Sequence, residues 1–315
     1  MKTLIIGGSR FQGPHLIKHL LELDHDVTLF NRGSKVQKKG PWRIINGDRR
    51  SHVDLKKLSG YIFDTVIDTC AYQHQDIKNL SGTIKTRHYC MLSSAFVYPP
   101  KPYLHKENDK LFTHKDSSNL PSATLEYALN KILCEKEALR LFGKDCLIFR
   151  PSMIIGESDH TGRLSFWISV FKKFNIDLSD YSDDELLQLV DVIDLAKFIS
   201  SLCHSQTTGI FNVGGLPIAR KNLFDIIQNQ IESNQQNELF LKINSPPENR
   251  EKLPFFGSWD NNICDISAAK KNGFEQKSVE KTVKRIVKNQ IAKEFNTHDS
   301  KNQERWFLNL INQWR

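Results

Sequence analysis

Long apolar runs are what this 315-residue chain lacks most clearly: no stretch approaches the ~20 consecutive apolar residues of a membrane-spanning helix. A helical membrane protein is therefore not expected. The first apolar run, Thr3-Leu4-Ile5-Ile6, starts so early that no signal peptide fits ahead of it, and the expected compartment is the cytoplasm. Cysteine is sparse and scattered. Cys70, Cys90, Cys134, Cys146, Cys203 and Cys264 form no C-x-x-C pair and have no histidines at zinc spacing. That argues against a disulfide scaffold or a metal site and for reduced, mostly buried thiols. Internal repeats are absent too. The basic excess is dispersed: 44 Lys and Arg against 36 Asp and Glu give a formal charge of +8, gathered only into short clusters such as Lys35 to Lys39 and Lys281 to Lys288. No aromatic-plus-basic RNA-binding signature accompanies it. The charge suits a phosphate-bearing cofactor and substrate, and nucleic acid is not the expected partner.

Hydrophobic residues make up 39% of the chain, enough for one large core or two smaller ones, hence a soluble globular protein. Apolar runs of strand length recur at 3–6, VTLF (27–30), RIING (43–47), DTVIDTCA (64–71), HYCMLSSAFVY (88–98) and DCLIFRPSMIIG (145–156). Helical spacing fills Pro14 to Leu23 and Tyr127 to Leu141. Strands alternating with helices predict an α/β fold, a doubly wound parallel sheet with helices on both faces. Beyond residue 156, SFWISVFKKF, LLQLVDVIDLAKFISSL, GIFNVGG and NLFDIIQNQIES read as a smaller α+β region, with IESNQQNE and SPPENREKLPFFGSW as loops. In the tail, Trp306, Phe307, Leu310, Ile311 and Trp314 fall on one helical face, suited to docking on their own domain or to a dimer contact.

Around GGSRFQG (7–13) a strand, a turn and a helix follow in order. Gly7 and Gly8 provide a tight turn that aims backbone N–H groups at a pyrophosphate, at the positive end of a helix dipole. Gly13 lets helix and strand pack closely, and Pro14 suits the first helical turn. Arg10 stands where the dinucleotide fingerprint has its middle glycine, and its guanidinium could fork onto a phosphate. A purely structural turn remains the alternative at this point.

SATLEYALNKILCEKEAL (122–139) places Tyr127 and Lys131 four apart, on one face of a helix. A phenol is a poor base at neutral pH, but an ammonium about 4 Å away favours its ionised form by roughly 4 kcal/mol at an effective dielectric near ~20. Such a phenol can move a proton on and off an alcohol while a nicotinamide exchanges the hydride. Upstream, HYCMLSSAFVY carries Ser93-Ser94, where a strand end would present a hydroxyl.

Taken together, GGSRFQG, LSSAFVY, YALNK and IFRPSMIIG, with VDVIDLAKFI and IFNVGG further on, resemble the extended short-chain dehydrogenase/reductases over roughly residues 1 to 290. The branch is that of NAD(P)-dependent nucleotide-sugar epimerases, dehydratases and reductases. The resemblance implies a Rossmann sheet, with 1–150 and about 189–213 as the NAD(P)-binding domain, about 151–188 and 214–290 as the substrate domain, and 291–315 as a helical tail. It implies Ser94 as the hydrogen-bonding serine, Tyr127 as the acid/base and Lys131 as the ligand of the nicotinamide ribose. Gly7, Gly8, Arg10, Phe11 and Gly13 would form the cofactor loop, in a GGTRF-type variant that carries arginine. Asp48 would meet the adenine and Thr69, Cys70 and Ala71 would line the cofactor. Ser94, Ala95 and Ser152 would face substrate. A homodimer is implied as well.

The second strand ends in Asn31-Arg32, not in the carboxylate that bonds the ribose 2′-OH in NAD-preferring folds, so NADP is favoured over NAD, with Arg10 within possible reach of the extra phosphate. Ala95-Phe96 occupy the places where dehydrating relatives carry Asp-Glu. 4,6-Dehydration is disfavoured, and 4-epimerase and ketoreductase both stay open. Arg163, with Asp159, His160 and Trp167 near it in SDHTGRLSFW, is the candidate to fork onto a substrate diphosphate, an ordinary surface salt bridge being the alternative. A non-catalytic dinucleotide-sensing or RNA-binding protein on the same fold is the rival reading. Retention of Ser94, Tyr127 and Lys131 speaks against it.

Overall fold

The computed structural model describes residues 1–33, 40–100, 104–113, 122–177, 185–231, 240–242, 253–257, 260 and 262–291. The Lys35 to Lys39 cluster and the apolar stripe from Trp306 to Trp314 lie outside the described residues, as does most of the two loop stretches. Seven parallel strands form the main sheet: β1 (Lys2–Ile6), β2 (Asp26–Asn31), β3 (Arg43–Asn46), β4 (Thr65–Asp68), β5 (Tyr89–Leu92), β6 (Cys146–Pro151) and β7 (Gly209–Val213). Their spatial order is β7-β6-β5-β4-β1-β2-β3, so the chain reverses direction of travel between β1 and β4. In doubly wound sheets that reversal opens a crevice at the carboxyl ends of the strands.

Period-two alternation explains why these strands read as unbroken apolar runs. Ile5, Leu29, Ile67, Leu147 and Phe149 pack on one face against Leu16, Ile17 and Leu20 of α1 (Gln12–Glu22) and Leu195, Phe198 and Ile199 of the helix Val192–His204. Leu4, Ile6, Phe30, Val66, Met91 and Ile148 face the other way, onto Ile77 and Leu80 of α2 (His74–Ser81) and Cys134 and Ala138 of α3 (Ser122–Phe142). Both faces are covered, as a parallel sheet requires.

Two expected strands end early. The run 88–98 leaves the sheet after Leu92, because Ser94 caps a short 3-10 turn at Ala95–Val97 by accepting a hydrogen bond from the Phe96 N–H (3.2 Å). The run 145–156 breaks after Pro151, and Met153–Ile155 pairs in parallel with Leu189–Asp191 outside the main sheet. A separate core gathers there. Trp167 and Phe171 of α4 (Arg163–Lys173) pack on Phe224 of the helix Arg220–Asn229, on Phe256, and on Val283 and Ile286 of the helix Val279–Ile291. No described helix is long and apolar enough to cross a membrane.

Candidate active site

β1 delivers the glycine loop to the crevice. Gly7 and Gly8 have φ of 91° and 70°, the left-handed region that glycine adopts without strain. Gly13 is demanded by contact: a Cβ there would stand 2.1 Å from the Gly8 carbonyl oxygen. The Gly13 N–H donates to the Arg10 carbonyl (2.9 Å), closing the turn beneath Phe11. Thr69 Oγ1, just past β4, donates to the Ile6 carbonyl (2.9 Å) and accepts from the Gly8 N–H (3.4 Å), tying the two loops together.

A cavity of about 400 Å³ opens between these loops, lined by Gly7, Gly8, Arg10, Phe11, Asn31, Arg32, Asp48, Thr69 and Cys70 among the residues singled out from the sequence. Gly13 is buried behind the loop, and Ala71 is buried with its carbonyl turned to Lys131. Asn31 reaches the cavity, but its amide is engaged: Nδ2 donates to the Gly7 carbonyl (3.2 Å) and Oδ1 accepts from the Gly33 N–H (2.8 Å). Cofactor loop and second strand are thereby clamped. Arg32 and Arg10 carry no salt bridge to a described carboxylate, whereas Asp48 Oδ1 accepts the Arg50 N–H (2.9 Å). The cavity also contains Arg49, Arg50, Tyr72 and Asp76, which the sequence did not single out, and His160, expected beside Arg163 on the substrate side. His160 is edge-on to Phe11 (6.2 Å), on the cofactor side.

Arg49 anchors the floor. Its Nη1 and Nη2 donate to both carboxylate oxygens of Asp68 (2.6 and 2.8 Å), which also accepts from the Tyr89 hydroxyl (2.8 Å). Burial alone would raise the Asp68 carboxyl, yet the Arg49 guanidinium and these hydrogen bonds hold it below the ordinary carboxylate range. Cys70 is pushed up, by burial first and then by Asp68, so its thiol stays protonated beside the cavity.

The second group of residues lies on α3 and the end of β5. Lys131 is 3% exposed, and its Nζ donates to the carbonyls of Ala71 (3.0 Å) and Leu92 (2.9 Å), joining the loops after β4 and β5. Nζ lies 5.8 Å from the centroid of the Tyr127 ring and 5.1 Å from that of Tyr72. Tyr127 meets Phe96 edge-to-face (6.1 Å), and Ala95 beside it is buried. Apolar groups therefore fill the two positions where a carboxylate pair would sit. Ser94 Oγ accepts one backbone N–H and keeps its own proton for donation.

Beneath this group lies a buried network legible only in part from the sequence. Glu135, one more turn along the Tyr127–Lys131 face, accepts from Ser93 Oγ (2.5 Å) and from Arg150 Nε and Nη2 (3.0 and 2.6 Å). Arg150 also donates to the Tyr98 hydroxyl (2.7 Å). The four-residue spacing was the available signal for Glu135. Arg49 has none, since its partner sits on a strand 19 residues away.

Arg163 lies apart from the cavity at the start of α4, donating to Thr161 Oγ1 (3.1 Å). Trp167 is buried in the second core, its Nε1 bonded to the Pro254 carbonyl (3.0 Å), and Asp159 caps the Thr161 N–H (2.9 Å). Neither is offered to a ligand. Ser152 is buried, with its hydroxyl unpartnered among the described residues.

These features fit a dinucleotide: a glycine turn too tight for side chains, free guanidinium groups at the rim and a buried ammonium beside the groove. The chloroplast stem-loop binding protein of 41 kDa b from Arabidopsis thaliana is 28% identical over 233 residues, 68% of this chain and 58% of that protein's length. A UDP-N-acetylglucosamine 4-epimerase from Methanobrevibacter ruminantium superposes with a TM-score of 0.69 at 21% identity, covering 92% of this chain and 98% of that one. A UDP-glucose 4-epimerase from Thermotoga maritima does so with a TM-score of 0.68 at 15% identity, covering 93% and 100%. These structural likenesses show the fold. The sequence profile described as the NAD dependent epimerase/dehydratase family matches residues 3–214, and the chain belongs to that family.

Proposed function

We propose that this chain is an NAD(P)-dependent epimerase or ketoreductase, acting at a carbinol or ketone carbon of a nucleotide sugar or related substrate. The observation that carries the reading is Lys131, a buried ammonium placed one helical turn from Tyr127 and bonded to the carbonyl of Ala71, next to the cavity-lining Cys70. A bound nicotinamide would supply the hydride acceptor and donor. Gly7 and Gly8 would shape the loop that receives its pyrophosphate, with Gly13 letting α1 approach behind it, and Asp48 would face its adenine.

Tyr127 moves the proton on and off the substrate oxygen, with the Lys131 ammonium one helical turn away. Ser94 donates its hydroxyl proton to the same oxygen and fixes its position. Buried Ala95 and the Phe96 ring offer neither acid nor base, which disfavours elimination of water from the sugar. Arg32 and Arg10 favour NADP over NAD, since two guanidinium groups at the rim suit a 2′-phosphate. Arg163 and Ser152 are assigned to the substrate side, a cytoplasmic setting accords with six free thiols, and exposed Leu133 and Leu139 on α3 suit a homodimer.

A second reading has its own observation: the Arabidopsis relative is named for stem-loop binding, and a charge of +8 attracts polyanions. Three measurements separate them. Fluorescence titration with NADPH and NADH should show saturable binding, tighter for NADPH, and Tyr127→Phe should keep that affinity within about twofold while removing at least ~99% of turnover in a nucleotide-sugar panel. An RNA stem-loop shifted in a gel at physiological salt, with no dinucleotide bound, would replace the first reading with the second.

A further inference from the structure

Lys131 poses an electrostatic problem. It is 3% exposed, and no described carboxylate lies within ion-pair reach. A buried ammonium without a counter-ion is strongly disfavoured unless other groups stabilise the charge. Two carbonyls use two of its three N–H donors, leaving one. The remaining stabilisation comes from ring faces, and the nearer ring is that of Tyr72, at 5.1 Å against 5.8 Å for Tyr127.

Tyr72 is also oddly placed for a packing residue. Half of its surface is exposed although Ala71 beside it is fully buried, and it lines the cofactor cavity together with Gly7 and Phe11. An aromatic side chain with a wet rim and a cation on its face matches a working position better than a core one.

We propose that Tyr72 is a positioning residue of this centre: its ring holds the Lys131 ammonium in place between cavity and Tyr127, and screens it from water. The inference rests on the function proposed above only in naming the cofactor as the beneficiary. Its physical content concerns Lys131 alone. The ring is the active feature, so a phenyl group should serve as well as a phenol.

The test uses the full chain and an amine-acetylating reagent, with modification mapped lysine by lysine in a mass spectrometer and exposed Lys57 as internal reference. In the wild type and in Tyr72→Phe, Lys131 should be modified slowly. In Tyr72→Leu, which keeps an apolar side chain and loses the π face, Lys131 should react about tenfold faster while Lys57 is unchanged. Tyr72→Met is a second ring-less variant should Tyr72→Leu fold poorly. Equal Lys131 protection in the ring-less proteins would overturn the proposal, and so would loss of protection in Tyr72→Phe. NADPH affinity, followed by fluorescence on the same proteins, should fall about tenfold without the ring and hold with phenylalanine. A wild-type protein that bound no NADPH would strike the cofactor reading and leave the labelling result to decide the role of Tyr72.

Discussion

Gly13 has the least freedom of any residue at the site. A methyl group there would meet the backbone of Gly8, and neither the loop nor α1 can yield without moving Gly7 and the cavity wall. Gly13→Ala should therefore cost about 1–3 kcal/mol of stability, read from guanidinium unfolding, and weaken NADPH binding in the same protein. A variant with native stability and affinity would contradict the close approach. His25 makes a different prediction. Burial, then the N-terminal amine and His204, lower it from 6.5 to about 4. The native state thus takes this proton less readily than the unfolded chain does. Stability is full above the unfolded value and declines as pH falls from 6.5 towards 4, a slope that His25→Gln should flatten in denaturant titrations.

At the scale of elements, α3 fixes the chemistry. Tyr127, Lys131 and Glu135 share one face, and the pair from Glu135 to Arg150 bolts that face to β6. Breaking one half leaves a buried charge alone, so Glu135→Ala should destabilise the fold by about 3–5 kcal/mol, and the denaturation midpoint checks it. A loss under ~1 kcal/mol would mean that water reaches Arg150 and that α3 is held by other contacts. The same element shows what a sequence reveals. Tyr127 and Lys131 were legible because helical spacing alone puts them together, and the strand–glycine–helix unit because turn chemistry is local. Tyr72 and Arg49 were not. Their roles arise only when the ends of β3, β4 and β5 meet across the sheet, and nothing in the local pattern around DTCAYQ or GDRRS announces it. The strand breaks at Ser94 and Pro151 were missed for the opposite reason: an apolar run hid a cap and a residue without an N–H.

At the scale of the molecule, the buried side chains include two separate clusters. One supports the seven-stranded sheet and its glycine loop, and the other gathers aromatic rings from Trp167 to Phe256. Bulk charge attracts phosphate, but among the described residues the sheet end brings Arg10 and Arg32 to a cavity beside the glycine loop. The most direct measurement is an experimental structure determined with saturating NADP. The pyrophosphate is expected over Gly7 to Gly13 and the nicotinamide ribose within hydrogen-bond reach of Lys131 and Tyr127. A dinucleotide bound elsewhere, or none at all at saturating concentration, would contradict that placement.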